Sequence, residues 1–339
     1  MQRNESGFSL IELLISITLG ILLMTGVVQM FLGSKQTFSS QQAVSRVQET
    51  GRLAIEFISR DIRMSAYYGC FSPKDGSEKT VDIIPGNLSV GGLNANFGIG
   101  VMGYKDASTL PNGASTDLGP GITPISGTNI LVLRGADAVT LVGSAVNTKN
   151  EVYGYTQSAV VNNCIAGICK NSVAVVSDCS KARVFKVSEI PSVSANQVTL
   201  KHAEDWGGGA NKDENFGKSS EISLMKTVVY FLAENPNEGP SLFQKINNDP
   251  AVELVEDVEN ISFLYGVSGT TYKKAEDMSA GDWAKVTAVK IEILVRSNAD
   301  NVVDNKQPYT FATVPVLQAN VPDRRIRKVF MATVGVRSR

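Results

Sequence analysis

One carboxylate stands alone in an apolar segment near the start of the chain. Residues 8–33 contain a single ionisable side chain, Glu12, and no Lys or Arg that could pair with it. An ionised carboxylate at the centre of a bilayer costs about 2.5–3.5 kcal/mol on insertion scales, so it needs a partner. That partner must come from another chain or from a new charge at the start of this one. The spacing therefore predicts an assembly contact and not a plain anchor.

Histidine chemistry is restricted to one side chain, His202. Metal centres and general-base catalysis both rely heavily on histidine, so a multi-histidine site is excluded. A catalytic pair centred on His202 stays open, but no set of nucleophile, base and orienting group is visible around it. We expect a protein that is not an enzyme and that has no cofactor.

An acidic, glycine-rich stretch follows His202. A calcium loop needs oxygen ligands at alternate positions. The run of glycines at 207–209 separates Asp205 and Trp206 from Asp213 and Glu214, so this spacing is broken. We expect a solvated acidic loop, with a calcium site as the weaker alternative.

Four cysteines lie beyond the apolar segment: Cys70, Cys164, Cys169 and Cys179. None forms a Cys-x-x-Cys pair, which argues against zinc, and their even number fits two disulfides in an oxidising compartment. Four cysteines allow three connectivities. We favour Cys164–Cys169 with Cys70–Cys179, because the second bond would tie the end of the N-terminal helix to the domain that follows.

The overall charge gives no reason to expect nucleic-acid binding, since 32 basic residues face 33 acidic ones. The one basic cluster comprises Arg324, Arg325, Arg327 and Lys328. It could contact a partner subunit or DNA, or it could be a solvated approach to the last strand. Binding of single-stranded nucleic acid would require interleaved aromatic residues, and only Phe330 is near.

The segment that carries Glu12 is long enough to span a membrane, which takes roughly 20 apolar residues. It is too long for a secretory signal peptide, and no A-x-A-like cleavage site follows it. Apolar residues then recur at helical spacing through Val44, Val47, Ala54, Ile58 and Ile62. We therefore predict one helix from Phe8 to about Met64, on the order of 85 Å long. Its second half should pack on a sheet of the same chain.

The remainder of the chain is typical of antiparallel strands and loops. Residues 70–127 are rich in Gly, Asn, Ser and Pro, which indicates loops. Strands are predicted at 129–134, 172–177, 182–187, 197–201, 221–232, 241–246, 261–265, 285–297 and 327–337. Residues 252–258 fit either a short helix or a strand edge, and 285–297 should be half-buried with one apolar face. The predicted fold class is α+β, with a long N-terminal helix packed on a mainly antiparallel sheet.

Residues 7–14, GFSLIELL, resemble the prepilin motif of type IV pilins and type II secretion pseudopilins. The resemblance implies cleavage after Gly7 by a prepilin peptidase of the inner membrane, and N-methylation of Phe8. It also implies that Glu12 pairs with the amino group of Phe8 on a neighbouring subunit. The cytoplasmic placement of the N-terminus comes from this resemblance.

Major pilins usually carry a proline that kinks this segment. Here Gln29 occupies that region, and the first proline is Pro73. A helix without proline should run unkinked. This departure favours a minor pilin or a pseudopilin over a subunit of the pilus shaft.

The sequence after the leader resembles the PilW family of minor type IV pilins, which is related to the J-type pseudopilins. The resemblance rests on QETGRLAIEF at 48–57, YYGC at 67–70, VSDC at 176–179 and the closing strand. It implies a subunit that primes pilus assembly and sits in the tip complex beneath a PilY-type adhesin. Other minor pilins, the major pilin and the prepilin peptidase would be its partners, and adhesion and twitching motility the pilus functions.

The same resemblance implies a leader at 1–7, a transmembrane half-helix at 8–33 and a periplasmic half-helix at 34–68. A β-rich periplasmic domain would occupy 69–339. Two alternatives stay open. One is a J-type pseudopilin of type II secretion, which would share the mechanism but serve another machine. The other is a membrane-tethered protein that captures DNA or a surface ligand itself.

Overall fold

A computed structural model describes residues 9–71, 82–83, 92–143, 150–203, 216, 219–235, 239–268 and 271–336. Its α-helices are α1 (Leu10–Met64), α2 (Ala114–Asp117) and α3 (Ala280–Trp283). Its strands are β1 (Asp82–Ile83), β2 (Val101–Tyr104), β3 (Ile130–Gly143), β4 (Glu151–Tyr155), β5 (Cys164–Ile165), β6 (Ile168–Cys169), β7 (Val173–Asp178), β8 (Lys181–Lys186), β9 (Ser192–Ser194), β10 (Gln197–Lys201), β11 (Glu221–Asn235), β12 (Gly239–Ile246), β13 (Val252–Val255), β14 (Val258–Ser268), β15 (Thr271–Lys273), β16 (Ala288–Arg296), β17 (Tyr309–Phe311), β18 (Val314–Val316) and β19 (Arg327–Gly335).

The predicted long helix is confirmed as one continuous α-helix of 55 residues. It contains no proline, so no backbone hydrogen bond of the helix is lost to one. It ends where Ser65 turns to an extended conformation and Ala66 takes a φ of 58°. The chain thus leaves the helix axis immediately after Met64, and α1 is a single rod that joins the apolar segment to the β domain.

The second half of α1 packs on a four-stranded antiparallel sheet with the order β15-β14-β16-β19. The predicted stripe faces this sheet. Its buried members are Val47, Ala54, Ile58 and Ile62, whereas Val44 stays 37% exposed near the edge of the domain. Alternate residues of β16 complete this core from the other side: Val289, Ile291, Ile293 and Val295.

Gly51 permits a close approach between α1 and β19. A Cβ atom at this position would overlap the ring of Phe330. We expect Gly51→Ala to destabilise the protein by about 1–2 kcal/mol. The cost of overpacking exceeds the roughly 1 kcal/mol that alanine gains over glycine within a helix. Thermal unfolding of the full-length protein in detergent would measure the difference.

The matched control for Gly51→Ala is Gly33→Ala on the same helix, where an added Cβ meets nothing within 4 Å. That variant should match or slightly exceed the melting temperature of the parent protein, because alanine favours the helix and meets no neighbour. Combining Gly51→Ala with Phe330→Ala should cost less than the sum of the two single changes, because the overlap is removed. Strict additivity would show that the ring does not limit this helix–sheet approach.

The larger sheet holds eleven of the described strands. Eight follow the order β1-β8-β7-β11-β3-β4-β10-β9, while β12 pairs with β11 and β13, and β2 pairs with β3. All of these pairs are antiparallel except the short β1–β8 pair. The strand β11 is mostly buried along its length, because β3, β7 and β12 pair with it and side chains of other elements cover both of its faces.

Two strand predictions need correction. The strand predicted at 129–134 continues to Gly143 as β3, because β11 and β4 pair with its polar, small-residue second half. Residues 252–258 are neither a helix nor one strand. They divide between β13 and the start of β14 at a turn in which Asp257 has a φ of 59°.

The expected exposed face of β16 is also wrong at Glu292 and Leu294, which are buried. A hairpin formed by β17 and β18 supplies Ala312, whose main-chain N–H donates to Glu292 Oε2 at 2.8 Å. Lys290 Nζ lies 3.0 Å from Glu292 Oε1. The four-stranded sheet is therefore buried on both faces in this region: α1 covers one face, and the β17–β18 hairpin covers the other.

Candidate assembly site

From Leu10 to about Gly33, no other described part of the chain packs against α1. Within the part of the chain that the structure describes, α1 is the single helix long and apolar enough to cross a membrane. None of its most apolar window is buried, and large side chains from Leu10 to Phe38 are exposed. An apolar surface of this length requires a bilayer or other apolar helices around it.

Glu12 lies in the first turn of this helix. The Ser9 main-chain N–H donates to Glu12 Oε2 at 3.2 Å. This bond satisfies one of the N–H groups that a helix start leaves unpaired. It brings no positive charge, and no Lys or Arg lies between Leu10 and Gly33. Among the described residues the carboxylate therefore has no cationic partner within the apolar segment.

The hydroxyl groups of the same segment are satisfied within the helix. Ser16 donates to Glu12 O at 2.7 Å, Thr18 to Ile15 O at 2.9 Å, and Thr25 to Ile21 O at 2.8 Å. Such side-chain to main-chain bonds let a hydroxyl enter an apolar environment without an external partner. For the Glu12 carboxylate the described residues supply the Ser9 N–H as a donor but no cation, which makes it the candidate contact group of this segment.

Gly7 and Phe8, the residues of the predicted cleavage and N-methylation, lie outside the described residues, so both modifications stay predictions. We expect Gly7→Val to block leader removal, because a branched side chain would stand at the cleavage point where the prepilin motif has glycine. Mass spectrometry of the mature N-terminus would detect the retained leader. Gly20→Val, a matched substitution within the apolar segment, should leave processing normal. Cleavage of the Gly7→Val chain at the parental rate would contradict the prediction.

The structure joins Cys70 to Cys179 and Cys164 to Cys169, the pairing that the sequence favours. The first disulfide connects the segment just after α1 to the turn between β7 and β8. The second closes the short β5–β6 hairpin. The two bonds therefore act at different ranges: one fixes the helix end to the large sheet, and the other fixes a local loop.

A buried polar cluster between α1 and the large sheet was missed from the sequence. Tyr230 Oη donates to Asp61 Oδ2 at 2.7 Å, and Gln244 Nε2 donates to the same oxygen at 2.9 Å. Burial raises the pKa of Tyr230, and the nearby Asp61 carboxylate adds to the rise. An aspartate directly beside the buried Ile62 was the available signal. The cluster orients the rod that carries Glu12 relative to the β domain.

Most of the basic cluster bonds within the molecule: Arg327 is buried, which neither sequence interpretation predicts, whereas Arg324 and Lys328 are exposed as in a solvated approach to the last strand. The Arg327 side chain is 1% exposed and pairs with Glu259 at 2.7 Å and Asp323 at 2.6 Å. Arg325 pairs with Asp323 at 3.3 Å, and the guanidinium of Arg324 donates to Asn301. Burial raises the pKa of Asp323, but the hydrogen bonds and charge of Arg327 and Arg325 bring it below its ordinary value. Of the four basic residues, these three are therefore engaged with their own chain.

The residues considered for catalysis or calcium binding are His202 and the acidic loop that follows it. His202 is buried, and its ring lies 5.7 Å from that of Phe185, which is a core position. Asp205, Trp206, Asp213 and Glu214 fall outside the described residues. In the described ranges no three His, Cys, Asp or Glu residues come together in a way that could hold a metal ion.

Two protein-family models match this chain, one near each end. A model described as Type IV Pilus-assembly protein W matches residues 229–338, which include the sheet that packs on α1. A model described as the prokaryotic N-terminal methylation motif matches residues 2–28, which include Glu12. No curated protein and no solved structure matches the chain. These two matches, over the last third of the chain and over its start, support a PilW-type type IV pilin with a prepilin leader, anchored in a membrane by its N-terminal helix.

Proposed function

We propose that this pilin is a minor subunit that helps to prime type IV pilus assembly and remains in the complex at the pilus tip. The observation that carries the proposal is the Glu12 carboxylate, which has no cationic partner among the described residues and lies on an apolar helix segment that no other described element covers. Cleavage after Gly7 would create an amino group on Phe8 of each subunit. The amino group of one subunit would then supply the positive counter-charge for the Glu12 carboxylate of its neighbour.

Two features support an initiating or tip position over a place in the shaft. First, α1 is one uninterrupted helix, without the proline that shaft subunits usually carry. Second, an eleven-stranded sheet is added to the four-stranded sheet that packs on the helix. Subunits inside a helical filament repeat the same contact in both directions, whereas a subunit at the end needs one side only. A subunit with a large additional sheet is therefore accommodated best at the end of the filament.

The compartment and partners follow from the same proposal. The domain beyond residue 33 would lie in the periplasm, where its two disulfides can form and persist. Its partners would be other minor pilins, the major pilin, the prepilin peptidase and a PilY-type tip adhesin. The role is structural and requires no catalytic group.

The test is to locate the subunit on the pilus. An epitope inserted between Val160 and Val161, both exposed, gives a label outside the two sheets. We expect immunogold label at pilus ends only, and a strong fall in pilus number when the gene is deleted. Label along the shaft would contradict the tip position. Normal piliation with a loss of protein secretion would instead favour the J-type pseudopilin.

A further inference from the structure

A polar groove of about 700 Å³ lies between α1 and the loop that follows β16. One wall is the helix face from Gln36 to Val44, and the other is the chain from Val302 to Pro308 together with Gln318. Its volume falls within the roughly 300–1,000 Å³ that is typical of small-molecule pockets. The groove is therefore large enough for a ligand of the size of a lipid headgroup.

The groove begins at the height where the headgroup layer of a bilayer would lie. Its loop wall contacts the helix at Gln36, whose Nε2 lies 3.5 Å from the carbonyl oxygens of Asn301 and Val302. Gln36 is about 4.5 Å beyond Gly33, the end of the apolar segment, at 1.5 Å per residue. The headgroup layer on each side of a bilayer is roughly 5–7 Å thick. The membrane-proximal end of the groove therefore lies among the headgroups when α1 spans the bilayer.

The loop wall is fixed by the rest of the domain. Val302 is buried, and the main-chain N–H groups of Val302 and Val303 donate to Arg324 O at 3.2 and 3.3 Å. The N–H of Arg324 in turn donates to Asp300 Oδ1 at 2.9 Å. A wall that is already held in place costs little ordering free energy when a ligand binds. The groove is therefore a preformed site.

The side chains of the groove fit a headgroup that carries both charges. Asp304 and Lys306 are the two charged residues that line it, and neither side chain forms an ion pair or a hydrogen bond with another described residue. Side-chain amides, which both donate and accept hydrogen bonds, occupy five further lining positions: Gln36, Gln41, Asn305, Gln307 and Gln318.

This lining distinguishes among phospholipids. A phosphate would accept hydrogen bonds from Lys306, and an ammonium group would donate to Asp304 and to amide oxygens. Phosphatidylcholine has a cation without N–H donors, and phosphatidylglycerol has no cation to pair with Asp304. Phosphatidylethanolamine supplies both the phosphate and an ammonium group with three N–H donors. It is therefore the complementary headgroup.

The helix face below the groove leaves room for an acyl chain. Gly33 lies about one turn below Thr37, and Gly26 lies two further turns down the same face. A Cβ atom added at either glycine would meet nothing within 4 Å. Leu22 and Met30 on this side of the helix are exposed. An acyl chain can therefore lie along this apolar face while its headgroup occupies the groove.

We propose that this groove binds one phosphatidylethanolamine molecule of the membrane in which α1 is anchored. Lys306 binds the phosphate, Asp304 binds the ammonium group, and an acyl chain lies over Gly33 and Gly26. The bound lipid fixes the height and the rotation of the β domain on the membrane surface. This inference goes beyond the proposed function, because it depends on membrane anchoring and not on a position within the pilus.

Lipid titration of the full-length protein in detergent tests the headgroup. Native mass spectrometry counts the bound molecules of phosphatidylethanolamine, phosphatidylcholine or phosphatidylglycerol, all with the same acyl chains. We expect one phosphatidylethanolamine per chain. The other two lipids should bind at least about tenfold more weakly, because each lacks a charged hydrogen bond that the groove can form.

Substitutions at the groove charges test the site. Lys306→Gln and Asp304→Asn should each raise the Kd for phosphatidylethanolamine about tenfold, for the same reason. Lys35→Gln is the matched control, because Lys35 is exposed at the same height of α1 but does not line the groove. That variant should bind as the parent protein does. Unchanged melting temperatures would verify that all three variants remain folded.

A leucine at Gly33 tests the path of the acyl chain. Gly33→Leu should weaken binding of phosphatidylethanolamine, since its side chain would fill the space directly below the groove. Gly20→Leu adds the same side chain to the apolar segment at another position where nothing lies within 4 Å. It should leave the Kd unchanged. Equal effects of the two leucines would contradict the acyl-chain path.

The remaining outcomes each decide the proposal. Equal affinity for all three lipids would show an adventitious additive only and would overturn it. Tightest binding of phosphatidylglycerol would overturn the choice of headgroup. An effect of Lys35→Gln as large as that of Lys306→Gln would replace the groove with general attraction to the membrane surface. These results concern lipid binding alone, so their failure is distinguishable from failure of the proposed role in pilus assembly.

Discussion

Replacing Glu12 with leucine is expected to leave the chain inserted and its leader cleaved, but to lower its recovery with partner pilins at least about tenfold. Leucine suits an apolar helix better than glutamate does, so insertion should not suffer. The loss arises because the amino group of the neighbouring subunit would then enter the bilayer without a counter-charge. Co-purification of partner pilins from detergent-solubilised membranes, together with pilus counts, measures the effect.

Thr18→Leu is the matched control for Glu12→Leu. Thr18 is a polar residue of the same helix whose hydroxyl already bonds to Ile15 O at 2.9 Å, so its removal should not affect assembly. A lysine at position 12 should impair assembly at least as strongly as leucine, because two positive charges would then meet. Normal piliation and normal co-purification of the Glu12→Leu chain would show that the carboxylate is not the contact group.

The second large effect concerns the two disulfides, which should contribute unequally to stability. Cys70 and Cys179 are 109 residues apart in sequence, whereas Cys164 and Cys169 are 5 apart. In the chain-entropy account, closing the longer loop is worth about 5 kcal/mol and closing the shorter one about 2 kcal/mol. Replacing both cysteines of the long-range pair with serine should therefore lower the free energy of unfolding by the larger amount.

The short-range pair supplies the control for this comparison. Cys164→Ser with Cys169→Ser removes the same number of sulfur atoms from the same domain. The difference in unfolding free energy between the two double variants therefore measures the effect of loop length. Denaturant unfolding of the full-length protein in detergent, followed by tryptophan fluorescence, measures both. Equal losses of stability would indicate that residual structure already holds residues 70 and 179 together in the unfolded chain.

The sequence by itself determined the long helix and the isolated charge on its apolar segment. The apolar run, its single charge and the helical spacing from Val44 to Ile62 are local patterns, and local patterns are sufficient to predict a helix and its buried face. The positions of most longer strands were recoverable for the same reason, since alternation and turn residues act over a few neighbours, whereas short strands such as β4, β17 and β18 were not predicted. The class of protein followed from the short prepilin motif around Glu12.

Only the tertiary structure decided what those elements cover. Glu292 is buried because a hairpin from Tyr309 to Val316 folds over its strand, which no pattern within β16 could indicate. From the sequence, Arg327 could have contacted a partner molecule, but in the fold it forms ion pairs with Asp323 and Glu259. The ion pair of Asp257 and Arg296, 3.8 Å apart, likewise forms only where a turn meets the end of a distant strand. Contacts between residues far apart in sequence depend on how the sheets and hairpins pack, and this packing sets the surfaces that a pilin offers to its neighbours.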